Sequence, residues 1–191
     1  MRTAQRLSRY MQSFRKWPRA NSVYRERMTE VPAHEIIVVP AAGQDGHQEL
    51  RQQCYDVRIE VFHHEQKFPL ETEIDDLDET ATHILLRLTP SLKPVGTIRA
   101  SKGSGYYKLS RLAVLSEYRK YRFGRELVLA LHDWVRRDAK AAGLAGTVKV
   151  RCHSQLYVKG FYGKYGYEPE GDEFDEDGAP HQLLICTLSV P

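Results

Sequence analysis

The sequence predicts one α/β domain in which a mixed, mostly antiparallel sheet is flanked by helices. Short segments rich in β-branched and aliphatic residues recur between turn-rich separators, and two longer segments carry apolar residues at helical spacing. Only the strand–helix–strand unit over residues 106–152 requires a parallel crossover, so the other strands can pair as antiparallel neighbours. With 191 residues, of which 41% are hydrophobic, the chain can bury one ordinary core.

The N-terminal half is predicted to begin with a strand over residues 35–39, a turn over 43–46 and a helix over 49–63. The apolar residues of this helix recur at helical spacing and are Leu50, Cys54, Val57 and Val61. A loop over 68–80 follows, introduced by a proline and dense in carboxylates. Three strands come next, separated by turns rich in glycine, proline and serine: 83–88, 95–100 and 106–114.

In the C-terminal half, the apolar period changes after Ser116 to that of a long amphipathic helix. Its apolar stripe consists of Phe123, Leu127, Leu131, Trp134 and Val135. The remaining predicted elements are a strand, a short helix and two further strands, over 147–152, 156–164, 167–174 and 182–188. Gly166 suits the left-handed conformation that ends a helix.

A basic turn stands where the long helix should begin. Its cations flank Gly124 and are Arg119, Lys120, Arg122 and Arg125. Free backbone N–H groups and the positive end of the helix dipole make such a place suitable for an anion, above all a phosphate. A solvated helix start is the alternative interpretation of the same cations.

The segment Arg119-Lys120-Tyr121-Arg122-Phe123-Gly124 resembles the R/Q-x-x-G-x-G/A loop of the GCN5-related N-acetyltransferases. In that family the loop amides hold the pyrophosphate of acetyl-CoA, so the resemblance implies cofactor contacts over residues 119–125. Arg122 departs from the pattern because it occupies the first glycine position. The resemblance also implies that neighbouring strands splay apart to admit the pantetheine arm. The further cofactor contacts that it implies are Leu112, Ala113, Val114 and Gln155.

Two more motifs extend the resemblance over about residues 35–188. Residues 161–167 (FYGKYGY) are similar to the family's F-Y-x-K-x-G-F, which implies that Tyr162 protonates the departing CoA thiolate. Thiol and phenol have pKa values close enough for this transfer, although a single tyrosine can equally serve core packing. Residues 57–86 and 176–181 resemble a sub-branch with V-R-x-x-V-F-x-x-E-Q, T-H-x-L and E-D-G-x-P-H.

The acceptor side of the site is predicted around the acidic loop, which places six carboxylates between residues 71 and 79. An anionic rim would attract a cationic amine, while a solvated acidic loop is the alternative. The candidate acceptor-binding residues are Glu65, Glu73, Asp76 and His83. The general base is predicted to be His181, whose motif recurs in the sub-branch. His83 is an alternative by residue type, as are Glu65 and Glu73 if burial raises their pKa values.

The predicted function is therefore an acetyl-CoA-dependent N-acetyltransferase that transfers the acetyl group directly within a ternary complex. Backbone donors at Val114 would stabilise the developing oxyanion. The predicted acceptor is a small primary amine, such as an amino sugar or a polyamine, with a protein amine as the alternative. A non-catalytic acyl-CoA-binding module remains the alternative from another class.

Charge is distributed unevenly along the chain. Residues 1–25 contain seven arginines and lysines and no acid, whereas the whole chain carries a net charge of +3, so the remainder is net acidic. We therefore predict a basic arm or targeting leader over 1–33 and the catalytic domain over 34–191. The arm can be read as a mitochondrial leader, a disordered nucleic-acid-binding arm or a docked helix; otherwise the protein is expected in the cytoplasm. The acidic remainder argues against a nucleic-acid-binding domain.

Other site classes find little support in the sequence. Cys54, Cys152 and Cys186 form no C-x-x-C pair, which indicates reduced thiols. No metal site is expected, because His64-Glu65 lacks the second histidine of H-E-x-x-H and Phe68 stands in its place. No apolar run approaches the ~18–20 residues that span a bilayer. A homodimer is left open.

Overall fold

The structure is a computed structural model that describes residues 30–191. The predictions for the basic segment at the N-terminus lie outside the described residues, and the division at residue 33 stays a prediction. Within the described part, the sheet consists of β1 (His34–Val38), β2 (Thr82–Leu88), β3 (Pro94–Gly103), β4 (Tyr106–Val114), β5 (Gly146–Gln155), β6 (Glu168–Glu176) and β7 (Ala179–Val190). The α-helices are α1 (His47–Arg58), α2 (Phe123–Ala141) and α3 (Lys159–Gly163).

These elements confirm the predicted α/β order, with one difference in the first helix. The predicted helix over 49–63 is α-helical only to Arg58 and continues as a π-helical turn over Ile59–Glu65. The acidic loop also contains two short 3₁₀ turns, Leu70–Thr72 and Asp76–Glu79. A period of 3.6 residues does not distinguish an α-helix from a single wider turn, which explains why the sequence did not reveal it.

The sheet has the strand order β1-β2-β3-β4-β5-β7-β6 and is antiparallel except between β4 and β5. That parallel pair extends over only three residues of each strand, from Tyr106 with Lys149 to Lys108 with Arg151. Beyond these residues the two strands have no register partners in each other. The predicted splay of the central strands is thus present, and it opens a gap in the middle of the sheet.

Helices cover both faces of the sheet. Ile84 and Leu86 of β2 pack in the same core as Leu127 of α2, and all three side chains are fully buried. Leu85, which points to the opposite face, packs against Cys54 of α1. Because both faces are covered, β2 has a continuous apolar run where a half-exposed strand would alternate. In the described residues, no helix has both the length and the apolar character to cross a membrane.

A buried ion cluster fixes the acidic loop between α1 and β3. Asp78 accepts two hydrogen bonds from Arg58, at 2.7 and 3.1 Å, and a third from Arg99 at 2.7 Å. Arg99 also donates two bonds to Asp75, at 2.7 and 3.0 Å. The side chains of Arg58 and Asp78 are each 1% exposed. Desolvation alone would raise the pKa of Asp78, but the Asp75 amide and the two guanidinium groups hold it below its ordinary value.

We predict that Asp78→Asn destabilises the fold by about 3–5 kcal/mol, because it leaves two buried guanidinium groups without full compensation. Chemical denaturation at neutral pH measures the loss. Since the folded-state pKa of Asp78 lies below its unfolded value, its contribution is present above about pH 4 and disappears as the pH falls further. The variant should therefore lose less stability on acidification than the wild type.

The control is Glu79→Gln in the same turn, because Glu79 is 72% exposed where it pairs with Arg51. This variant should change the free energy of unfolding by less than about 1 kcal/mol. Equal losses in the two variants would contradict the role assigned to the buried cluster.

Candidate active site

The gap between β4 and β5 is the floor of a cleft of about 500 Å³. Residues 109–114 of β4 and 153–155 of β5 line its two sides, and α3 contributes Phe161 and Tyr162. The wall opposite the sheet comes from the π-helical turn and the acidic loop, through Glu65 and Glu73. Elements distant in sequence therefore meet where the pairing of β4 with β5 ends.

A β-bulge in β4 lies at the edge of this cleft. The pairing of β4 with β3 shifts register so that Arg111 and Leu112 have no register partner on β3. Arg111 has φ = 52°, which is uncommon for a residue with a side chain. Its guanidinium contacts the Thr72 carbonyl and lies 3.3 Å from Asp75. The bulge thus connects the irregular strand to the acidic loop.

The start of α2 has the properties expected of an anion site. Arg122 immediately precedes the helix with φ = 63° and ψ = 24°, the left-handed conformation in which glycine is favoured. No side chain among the described residues caps this helix start, although the Arg125 N–H of its first turn already donates to the Arg122 carbonyl at 2.9 Å. The side chains of Arg119, Lys120, Arg122 and Arg125 are all exposed around it. The geometry explains the family's glycine at position 122, where the chain instead has an arginine.

The residues of the predicted phosphate loop do not all face the cleft. Arg119 lines it, whereas Lys120, Tyr121, Arg122, Phe123, Gly124 and Arg125 are not part of its lining. The helix start nevertheless adjoins the cleft, because a Cβ added to Gly124 would lie 3.3 Å from the ring of Phe161. The phosphate-binding role of these residues stays a prediction.

Arg119 uses its guanidinium within the protein. It donates to both carboxylate oxygens of Glu65, each at 2.6 Å, and its Nε donates to the Val114 carbonyl at 2.9 Å. The Val114 carbonyl therefore already has a hydrogen-bond partner within the protein. The sequence predicts that Glu65 contacts the acceptor and that Arg119 contacts the cofactor. In the structure the two side chains bond each other and join opposite walls of the cleft. The sequence could not reveal this pair because 54 residues separate its members.

Tyr162 belongs to the short helix α3 and lines the cleft. The residue is 8% exposed. Its ring packs edge-on against Phe161 and Tyr167, with centroid distances of 5.1 and 5.6 Å. Burial raises the pKa of Tyr162 well above its ordinary value. The phenol therefore keeps its proton at neutral pH and can act as a proton donor.

His181 and Gln155 lie side by side in the cleft, because β5 and β7 pair in this register. The Nδ1–H of His181 donates to the Ala179 carbonyl at 2.9 Å, which leaves Nε2 as the basic ring nitrogen. Gln155 donates to Gln66 at 3.4 Å, across the cleft from β5 to the end of the π-helical turn.

The two candidate glutamates differ in their environments. Glu73 is 3% exposed, and desolvation raises its pKa despite nearby Arg111 and Arg58. Its Oε2 has no hydrogen-bond partner among the described residues and lies 3.9–4.0 Å from the Nε atoms of those two arginines. Glu65 is the opposite case, because its hydrogen bonds with Arg119 lower its pKa. The condition under which Glu65 could serve as the base, a pKa raised by burial, is therefore not met.

Two predicted acceptor residues lie outside the cleft. Asp76 is exposed and absent from the lining, and His83 is 2% exposed and packs against Tyr55 behind the ion cluster. Burial lowers the pKa of His83, so it stays neutral in the core. The expected anionic rim is also wrong in part, because Asp75 and Asp78 are paired with arginines. Carboxylates at alternate positions of a tight turn point in different directions, which their density in the sequence does not show.

The structure also brings into the cleft several polar residues that were not predicted as site residues. They are Asp75, Arg99, Lys108, Arg111, His153, Glu176 and Asp177. One signal was available, since strand alternation in β5 places His153 on the same face as Gln155. For Arg99 and Arg111 no such signal existed, because an arginine in a strand is ordinarily an exposed residue.

Comparison with known proteins identifies a family model that matches most of the chain. The model describes an acetyltransferase (GNAT) domain, and it matches residues 48–188. The match therefore runs from the start of α1 almost to the end of β7 and includes every cleft-lining element described above.

Individual relatives agree with this match. YyaT, an uncharacterised protein of Bacillus subtilis, is 35% identical over 136 residues, which is 70% of this chain and 86% of its own. YjcF of the same organism, an uncharacterised N-acetyltransferase, is 35% identical over 133 residues, covering 69% and 89%. A provisionally assigned N-acetyltransferase from Lactobacillus plantarum superposes with a TM-score of 0.67 at 27% identity, covering 82% of this chain and 99% of that one.

We predict that Arg119 braces the cleft and does not serve chiefly as a free phosphate ligand. If so, Arg119→Lys, which loses the bidentate geometry, weakens acetyl-CoA binding about tenfold, a loss of about 1.4 kcal/mol. Glu65→Gln weakens it in the same direction by a smaller factor, because this pair is partly exposed. Titration calorimetry measures both dissociation constants.

The control is Glu117→Gln, which breaks a comparable exposed pair with Lys93 away from the cleft and should leave the affinity unchanged. Tighter acetyl-CoA binding by the Glu65→Gln variant would contradict the bracing role, because it would mean that Glu65 competes with phosphate for Arg119.

Proposed function

Because this chain belongs to the GNAT acetyltransferase family, we propose that it transfers the acetyl group of acetyl-CoA to a small primary amine within a ternary complex. Proteins of this fold take acetyl-CoA or another acyl-CoA as the donor. The observation that carries the proposal is the opening between β4 and β5, which has a proton donor, Tyr162, at one side and a basic nitrogen on His181 at another. Both substrates could meet there without a covalent enzyme intermediate.

The proposed cofactor position follows from the free donors around the cleft. The pyrophosphate would be held by the uncapped start of α2 and by the exposed side chains of Lys120, Arg122 and Arg125. The pantetheine arm would lie along the β4 side of the gap, against Leu112, Ala113 and Val114, with Gln155 on the β5 side. The backbone N–H of Val114 would stabilise the oxyanion that forms when the thioester carbonyl is attacked.

The proposed proton transfers follow from the tautomer of His181 and from the position of Tyr162 in the cleft. Nε2 of His181 would accept a proton from the amine nitrogen as it bonds to the carbonyl carbon. Tyr162 would donate its proton to the thiolate of CoA as the carbon–sulfur bond breaks, because its phenol lines the cleft and keeps its proton at neutral pH. Burial raises the pKa of the phenol and makes it a weaker acid, so the transfer depends on the negative charge that develops on the sulfur.

The acceptor is proposed to be a small amine such as an amino sugar or a polyamine. Glu73 is the proposed contact for a cationic substrate, because this buried carboxylate lines the cleft and its Oε2 accepts no hydrogen bond among the described residues, with the Nε atoms of Arg58 and Arg111 3.9–4.0 Å away. A protein amine is the second candidate acceptor. The non-catalytic acyl-CoA-binding module loses support, since the relatives and the family model are described as acetyltransferases.

The first experiment is a calorimetric titration with acetyl-CoA, followed by thiol release across a panel that includes glucosamine 6-phosphate, spermidine and a lysine peptide. Binding followed by thiol release with one amine supports the enzyme and identifies its acceptor class. Binding without release would favour the module, and the absence of binding would contradict the assigned cofactor site.

We predict that Tyr162→Phe lowers kcat by about 10²-fold or more while acetyl-CoA affinity stays within about threefold of wild type, because the phenol acts on the leaving thiolate and not on binding. The matched control is Tyr165→Phe, since Tyr165 also packs against Phe161 but does not line the cleft. An unchanged kcat in the Tyr162→Phe variant would contradict the proposed proton donor.

A further inference from the structure

The cleft contains a second histidine that is held by a carboxylate. His153 of β5 places its Nδ1 2.9 and 3.0 Å from the two carboxylate oxygens of Glu176, at the end of β6, and both residues line the cleft. A carboxylate only accepts hydrogen bonds, so Nδ1 carries the proton of the neutral ring. The basic lone pair of His153 is therefore on Nε2.

The surroundings of this pair connect it to His181. The ring of Phe174 packs edge-on against His153, with centroids 5.0 Å apart, and stacks on His181 at 6.1 Å. The hydrogen bond from His153 lowers the pKa of Glu176, and the charges of Lys108 and His181 act in the same direction. Glu176 therefore stays ionised at neutral pH and can stabilise a positive charge on the imidazole. The charged or titratable groups beside the pair come from two strands, Lys108 from β4 and His181 from β7.

The proton balance of the reaction requires a group that carries a proton from the acceptor to the solvent. An acceptor that arrives as an ammonium ion loses two protons from nitrogen before it is an amide. One proton is balanced by the one that the thiolate sulfur gains from Tyr162, and the other must reach the solvent. His181 is only 7% exposed, whereas the side chains of His153 and Glu176 are 32% and 36% exposed. Of the two histidines, His153 is the more exposed to solvent.

We propose that His153 takes the first proton from the acceptor's ammonium group and releases it to the solvent, with Glu176 as its positioning residue. In this step one N–H bond of the ammonium breaks and a bond forms between that proton and Nε2 of His153. The freed electron pair remains on the amine nitrogen and then forms the bond to the thioester carbon. His181 receives the second proton as the amide forms, and the release of that proton balances the one that Tyr162 takes up again after protonating the thiolate. This inference rests on the proposed function, because it assigns a further residue to the same reaction.

The test compares three variants in the thiol-release assay, with the panel amine that the wild type acetylates fastest. His153→Asn keeps a polar side chain near Glu176 but has no basic nitrogen, so kcat/KM for the amine should fall about 10²-fold. Glu176→Gln keeps a hydrogen-bond acceptor for Nδ1 but removes the charge. It should move the rising limb of the pH profile to lower pH, since the imidazolium loses its counter-charge. The KM for acetyl-CoA should remain unchanged in both.

The matched control is His34→Asn. His34 also forms a histidine–carboxylate pair, with Glu126 at 2.8 Å, but it does not line the cleft. A base can be distinguished from a structural residue by chemical rescue: free imidazole should restore part of the rate of a His153→Ala variant and should have no effect on His34→Ala. Thermal melting confirms that each variant is folded before its rate is compared.

The outcomes separate this inference from the proposed function. If the wild type releases no thiol with any amine, both are overturned. If the wild type is active and His153→Asn matches His34→Asn in rate and pH profile, only the role of His153 is overturned. A loss of rate that imidazole restores, together with the shifted profile of Glu176→Gln, supports it.

Discussion

The early end of the parallel pairing between β4 and β5 is the constraint on which the rest of the site depends. Backbone groups that leave a sheet in the interior of a protein must find other partners. In this chain the Arg119 guanidinium donates a hydrogen bond to the Val114 carbonyl. A β-bulge at Arg111 and Leu112 shifts the neighbouring pairing of β4 with β3. The same separation creates the space that the substrates need. The separation of β4 from β5 therefore removes hydrogen bonds from the sheet and at the same time creates the cleft.

Ion pairs, more than apolar packing, determine where the acidic loop lies. Leu70, Ile74 and Leu77 of that loop remain about half exposed, whereas its carboxylates Glu73 and Asp78 are buried against arginines. A loop fixed in this way has a defined position only while its charges are balanced. The wall of the cleft opposite the sheet thus depends on electrostatics, in contrast to the floor, which depends on strand geometry.

Sequence periodicity was sufficient for the order of strands and helices, since each is a local pattern with its own period, but not for the π-helical turn at Ile59–Glu65. Charge and glycine also indicated the start of α2. Pairings between distant segments could not be predicted in this way. Glu65 with Arg119, and Glu176 with His153, depend on which segments become neighbours. Asp76 and Asp75 are adjacent and chemically alike, yet only Asp75 reaches the cleft, because the direction of each side chain depends on a turn that composition does not encode.

The π-helical turn at Ile59–Glu65 has a consequence for how this wall can change in evolution. Such a turn accommodates one residue more than an α-helix of the same rise. If the segment became a regular helix with its residue number unchanged, everything beyond it would rotate by about 100° about the axis. Glu65 and Gln66 would then turn away from Arg119 and Gln155 although neither side chain had been altered. In this part of the protein, substitutions that favour a regular α-helix are expected to be restricted even where the replaced side chain does not reach the cleft.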